Sequence, residues 1–197
     1  IVVDGVSKTY AMTGFRIGYA AGPADVIDAM INAQSQATSS PNTPAQYAAA
    51  KALTMPQDCV AQMRQAFEAR RDALVRGINA IPGLSCRKPD GAFYVMMNVS
   101  QLFPKSFEGK RLEDSDGFAA ALLSAAKVVV VPGKAFMAEG YCRLSYATSM
   151  ENIQEGLRRI EAWLRLLALC AADDRDWTAM LVAHGGDALR LQGLDQP

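Results

Sequence analysis

Ser7-Lys8-Thr9-Tyr10-Ala11-Met12-Thr13-Gly14-Phe15-Arg16-Ile17-Gly18-Tyr19 sets one lysine and one arginine eight residues apart between two apolar runs. A lysine amine condenses with an aldehyde to give an imine, and a planar guanidinium donates paired hydrogen bonds to a phosphate. Together they suit a ligand with a carbonyl at one end and a phosphate at the other. Ile1-Val2-Val3 leads into the segment and Ile17-Gly18-Tyr19-Ala20-Ala21-Gly22 leads out of it. The expected arrangement is therefore strand, polar loop, strand, with Lys8 and Arg16 aimed into one cleft.

A phosphate-binding P-loop would need glycine immediately before the lysine and a second glycine five residues earlier. Here Ser7 precedes Lys8 and no glycine precedes Gly5, so that motif fails. A solvated loop lysine is the ordinary fate of this residue type, but the surrounding pattern argues otherwise. Pyridoxal phosphate carries both of the groups that the lysine and arginine would bind. Ser7, Lys8, Met12, Gly14, Arg16 and Gly18 form Ser-Lys-x-x-x-Met-x-Gly-x-Arg-x-Gly. This pattern resembles the cofactor-lysine signature of the class I and II aminotransferases, on the fold type I scaffold of pyridoxal-phosphate enzymes. The resemblance implies that Lys8 binds the cofactor as an imine while Ser7 and Arg16 hold its phosphate.

The chain has 197 residues, half of them hydrophobic, which is enough to bury a core in one large or two small domains. Twenty basic residues balance twenty acidic ones, and no basic stripe is dense enough to neutralise a nucleic-acid backbone. Cys59, Cys86, Cys142 and Cys170 show no Cys-x-x-Cys spacing, and His184 is the only histidine. No metal site is expected, and reduced thiols in a cytoplasmic protein are. No apolar run approaches the roughly 18 residues of a membrane-spanning helix, and no signal peptide is visible. The first residue is Ile1, already strand-like, so the chain reads as part of a longer protein.

Helical spacing predicts helices over 24–36, 45–53 and from Pro56 to about Ala80, the last with Val60, Met63, Phe67, Leu74 and Ile78 near one face. Thr38 to Pro44 is a loop by its turn chemistry. Arg64, Glu68, Arg71 and Asp72 are expected on a solvated helix face. Beyond Ile81-Pro82-Gly83 the character changes to short strands and helices. Strands are expected at Phe93 to Met97, at Val128 to Val131 as a buried strand stopped by Pro132-Gly133, and at Arg143 to Ala147. Phe118 to Ala126 reads as a helix. A closing helix starts at Thr148, capped with Glu151 three residues on, and packs Ile153, Leu157, Ile160 and Leu164 on the sheet.

This order also resembles the aminotransferases, as do Cys86-Arg87-Lys88-Pro89-Asp90-Gly91-Ala92-Phe93-Tyr94, Val130-Val131-Pro132-Gly133 and Arg143-Leu144-Ser145-Tyr146-Ala147. The implied fold is α/β. Residues 1–70 are the C-terminal part of the large cofactor-binding domain with its connecting helix, 71–166 a small α+β domain and 167–197 an unassigned tail. By the same resemblance Arg143 grips the substrate α-carboxylate, a task that suits a guanidinium better than an ammonium because two parallel hydrogen bonds can form. The implied activity is amino-group transfer between an amino acid and a 2-oxo acid with ping-pong kinetics, of the aspartate or broad amino-acid kind. Lys8 is the implied acid and base. A homodimer is implied for the full-length protein, with Ser39, Ser40 and Asn42 on a loop near the partner's site. A turn chosen for conformation explains that loop equally well.

Tyr10, Tyr19, Tyr94 and Tyr146 are expected to pack at the site wall or in the core. The residues that pair with the pyridinium nitrogen, stack on the ring and cradle the phosphate from the backbone lie upstream in related enzymes. The isolated 197 residues are accordingly expected to bind the cofactor weakly and to catalyse poorly. Met137 is a departure, since relatives often place glycine after Pro-Gly-x-x-Phe. Two alternatives keep the fold: an aminotransferase-like effector domain of a transcriptional regulator, and a pyridoxal-phosphate lyase.

Overall fold

A computed structural model describes the backbone of residues 1–103, 106–107, 110–172, 178–182 and 188–192, and the side chains of 1–103 and 111–169. Two units divide the chain, Ile1–Gln65 and Ala66–Pro197.

In the first unit, strand β1 (Val2–Gly5) pairs antiparallel with β2 (Gly18–Ala21). Between them the chain makes a short helix, α1 (Val6–Thr9), and a 3-10 turn at Thr13–Phe15. The segment is thus helical where a loop was expected. Tyr10 N–H donates to the Val6 carbonyl and Ala11 N–H to that of Lys8, which closes the turn around the lysine. Helices α2 (Ala24–Ala37) and α3 (Thr43–Thr54) follow as expected from their spacing. Asn42 caps α3, its Oδ1 accepting the Ala45 N–H at 3.1 Å, with Pro44 in the first turn. The small faces of Ala45 and Ala49 then pack on Val6 and Ile17, with Tyr10 and Met12 against them. This apolar knot fixes both ends of the Lys8 segment.

Helix α4 (Asp58–Ala80) begins in the first unit and ends in the second. The second unit continues with β3 (Ser85–Cys86), β4 (Tyr94–Asn98), β5 (Ser106–Phe107), β6 (Lys110–Arg111), α5 (Ser115–Ala126), β7 (Val131–Pro132), β8 (Tyr141–Ser145) and α6 (Met150–Ala172). Strands β9 (Thr178–Val182) and β10 (Ala188–Gln192) pair antiparallel. Of the sequence tail from 167, residues 173–177, 183–187 (with His184) and 193–197 lie outside the described residues. β3, β4, β8 and β7 form an antiparallel sheet in that order. Val95 and Met97 of β4 and Cys142 and Leu144 of β8 turn one face to the core, as the period of two requires. Leu74 and Ile78 of α4, Phe118 and Leu122 of α5, and Ile153, Ile160 and Trp163 of α6 complete that core. The expected stripe on the closing helix is therefore the buried one, with Leu157 partly covered.

Three further expectations need correction. Val128 to Val131 is not a buried strand: only Val131 and Pro132 join the sheet, and Val129 is 75% exposed. Lys127 ends α5 in the left-handed region and redirects the chain before a ladder can form. The closing helix is capped by Ser149 rather than Thr148, because the Ile153 N–H bonds the Ser149 carbonyl and the Asn152 N–H its hydroxyl. Arg71, with a side chain only 12% exposed, is not on a solvated face. It pairs with Asp72 at 2.9 Å, and Asp72 pairs with Lys88 at 3.0 Å, tying α4 to the chain before the Pro89-Asp90-Gly91 turn. The Arg71 hydrogen bond holds the Asp72 carboxyl below its ordinary range, with Lys88 adding to it.

Candidate active site

Gly5 and Gly18 are the last residues paired between β1 and β2, so everything from Val6 to Ile17 emerges at one end of the ladder. At Gly5 the strands approach closely: a Cβ there would lie 3.0 Å from the Ile17 carbonyl oxygen. Lys8 follows that pair by three residues and Arg16 precedes it by two. Ser7 is half-buried on α1, and Lys8 is exposed on the same turn. Arg16 takes the left-handed conformation, φ 55°, at the end of the 3-10 turn, and its Nη1 donates to the Thr13 carbonyl at 3.0 Å. This bond occupies one donor of a five-donor fork and leaves the guanidinium exposed.

Arg16 also lines a cavity of about 720 Å³ in the first unit, with Gln34, Thr38, Ser40 and Asn42 among its polar walls. Ser40 and Asn42 thus border the same space as Arg16, although Asn42 is already engaged as a helix cap. Ser7 and Lys8 are not among the residues that line this space, so Lys8 and Arg16 share one end of the strand pair while Arg16 alone of the two borders the cavity. An amine and a guanidinium so placed fit a compound bearing an aldehyde and a phosphate. Tyr10 is occupied elsewhere, its hydroxyl donating to Gln57 Oε1 at 2.8 Å.

Arg143 belongs to the second unit. It stands on β8 opposite Met96, on the sheet face turned away from the core. Its Cζ lies over the Tyr94 ring at 4.2 Å from the centroid and over the Phe136 ring at 4.3 Å. Tyr94 is the diagonal neighbour across the β4–β8 ladder, within reach of a long side chain. Among the described residues the Arg143 side chain makes no hydrogen bond and no ion pair, so its donors stay available to an anion. Tyr94 and Phe136 were not expected as functional residues. The signal that could have found them is the strand register, which brings Tyr94 alongside Arg143. Tyr146, in contrast, is a core residue whose hydroxyl donates to the Ala92 carbonyl at 2.9 Å.

The sequence profile described as aminotransferase class I and II matches residues 1–160. The chain belongs to that family. It is 47% identical over 165 residues to the aspartate aminotransferase of Bacillus sp. strain YM-2, an overlap of 84% of this chain and 41% of the relative. It is likewise 47% identical over 166 residues to the aspartate/prephenate aminotransferase of Nitrosomonas europaea, covering 83% of this chain and 42% of that one. The crystal structure of the aspartate aminotransferase from Rhizobium meliloti superposes with a TM-score of 0.79 at 49% identity, over 82% of this chain and 40% of that chain. The chain therefore spans about two fifths of the length of these relatives. Its fold is the α/β fold type I arrangement of the corresponding part of an aminotransferase, as the resemblance implied.

Proposed function

We propose that this chain forms the lysine-bearing and carboxylate-binding part of a pyridoxal-phosphate-dependent aminotransferase acting on aspartate and a 2-oxo acid. The observation that carries the reading is the common origin of Lys8 and Arg16 at one end of the β1–β2 pair, with Arg16 on the wall of a cavity of mixed polar and apolar lining. The names of the relatives support the aspartate preference.

When bound, pyridoxal 5′-phosphate supplies an electron-withdrawing ring that makes the α-proton of an amino acid removable. Lys8 is the residue that holds the cofactor covalently. Displaced by the substrate amine, its freed Nζ would take the proton from the substrate α-carbon and give it back, acting as base and acid in turn. Ser7 and Arg16 bind the phosphate, the guanidinium through its remaining donors and the serine through its hydroxyl. Arg143 binds the substrate α-carboxylate and so orients the amine. The working protein is a homodimer in the cytoplasm, and its substrates are small amino and oxo acids. No helix among the described residues is long and apolar enough to cross a membrane.

Borohydride reduction of the full-length protein after incubation with the cofactor tests the assignment. A pyridoxyl adduct on the peptide containing Lys8, absent in Lys8→Ala, is the expected result. An adduct confined to a different lysine overturns it.

A further inference from the structure

We propose that Tyr94 and Phe136 are positioning residues that seat the Arg143 guanidinium for a carboxylate. This rests on the reading of Arg143 as the carboxylate-binding residue.

An unrestrained arginine side chain samples many rotamers, and that freedom is lost each time it grips a ligand. Here the guanidinium carbon lies close over two rings, at 4.2 Å from the Tyr94 centroid and 4.3 Å from that of Phe136. The faces of aromatic rings attract the cation without using its N–H groups. The edge donors are thereby kept for an anion, and the rotamer is chosen during folding rather than during binding.

Both rings are themselves fixed. Tyr94 is held in the β4–β8 ladder, and its ring lies 4.4 Å from that of Phe93. Phe136 ends the 3-10 turn Gly133–Phe136, and this turn is pinned at several points. Lys134 N–H donates to the Ser115 hydroxyl at 3.2 Å, and Ala138 N–H to the Gly133 carbonyl at 3.0 Å. Glu139 accepts the Ser115 N–H at 2.7 Å and the Gly140 N–H at 3.1 Å. A Cβ on Gly133 would fall inside contact distance of the Ala138 and Tyr141 carbonyl oxygens, so the turn closes only with glycine. A solvent-facing aromatic with no task would not require such support.

The test uses the full-length, cofactor-loaded protein and two readouts: steady-state kinetics with aspartate, and the dissociation constant of succinate, a dicarboxylate that cannot react. Tyr94→Leu and Phe136→Leu remove a ring each, while Tyr94→Phe and Phe136→Tyr keep it. Arg143→Leu provides the reference loss. The ring-removing variants are expected to raise KM and the succinate dissociation constant about tenfold, with kcat changed less than about twofold. The ring-keeping variants should bind succinate like the parent. Parent-like binding in both leucine variants, with loss in Arg143→Leu, overturns the positioning role and leaves the carboxylate reading standing. Parent-like binding in Arg143→Leu overturns both. Should a leucine variant misfold, nuclear magnetic resonance of the parent labelled at arginine Nε decides: a seated Arg143 gives an order parameter near that of the backbone, whereas a value below about 0.6 sinks the proposal.

Discussion

Glu139 and Ser115 meet at two points: Oε1 of Glu139 accepts the Ser115 backbone N–H at 2.7 Å and Oε2 the Ser115 hydroxyl at 3.3 Å. The Ser115 N–H is one of the donors that the start of α5 cannot satisfy within the helix. Asp114 caps the Gly117 N–H at 2.8 Å, and Glu139 supplies what Asp114 does not reach. The carboxylate thus joins α5 to the loop that carries Phe136.

This pairing predicts an acid sensitivity. The Gly140 N–H, then the Ser115 N–H and hydroxyl, hold the Glu139 carboxyl below its ordinary range. The unfolded chain therefore takes up a proton at a higher pH than the folded one. The Glu139 contribution is complete above the ordinary carboxyl range and is lost as pH falls through the depressed folded value. Glu139→Gln should flatten the fall in stability between about pH 5 and pH 3. Urea midpoints across that range check it, and parallel pH profiles for parent and variant would refute it.

Met137 takes φ 55° and is 99% exposed. A left-handed conformation costs a residue with a Cβ about 1–2 kcal/mol, which glycine escapes. The departure from glycine noted in the sequence thus falls on a strained position. Met137→Gly should raise stability by about 0.5–1 kcal/mol after the extra unfolded-state freedom of glycine is subtracted. Equilibrium urea unfolding measures it, and a loss of stability would contradict the assignment.

Gly133 is the opposite case. Any side chain there meets backbone oxygens of Ala138 and Tyr141, which cannot swing aside as a side-chain tip could. Gly133→Ala should destabilise by about 2–3 kcal/mol, the upper range of overpacking. It should also loosen the Phe136 seat. A thermal midpoint within error of the parent would show that the turn can open freely.

What could be read from the sequence and what could not divides along the range of the interactions involved. Long helices declared themselves because Leu74 and Ile78, or Ile153, Ile160 and Leu164, repeat with the helical period over several turns. The helical turn under Lys8 is only four residues long, too short to show a period. Four consecutive valines look like a strand whether or not a partner lies alongside, and after the left-handed Lys127 only Val131 of the four joins the sheet. The charge row on α4 looked solvated because its partner Lys88 comes from another segment. Lys8, Ser7, Arg16 and Arg143 could be named from motifs, yet the rings against Arg143 depend on the pairing of distant strands.

Burial separates the cysteines chemically. The Cys142 thiol is pushed up to about 12 by burial, only partly offset by the Gly133 hydrogen bond, whereas Cys59 is exposed. Only the thiolate reacts with alkylating reagents. At pH 8, iodoacetamide should label the Cys59 peptide and leave the Cys142 peptide unmodified until the protein is unfolded, as peptide mass mapping would show. Equal labelling of both in the folded protein would mean that the sheet core opens on the time scale of the reaction.

Arg143→Lys tests whether charge alone serves the carboxylate. Lysine keeps a cation near the Tyr94 and Phe136 rings but replaces a rigid planar fork with a rotatable, strongly hydrated point charge. Two parallel hydrogen bonds become at most one at a time, and the substrate amine loses its fixed direction. In the full-length protein the variant should lower kcat/KM for aspartate by about 100-fold, which corresponds to about 2.7 kcal/mol of transition-state stabilisation. Because the α-carboxylate is common to all amino acids, the loss should be similar for aspartate and for an uncharged donor such as alanine. A loss seen only with aspartate would instead assign Arg143 to the second carboxylate and move the α-carboxylate site elsewhere.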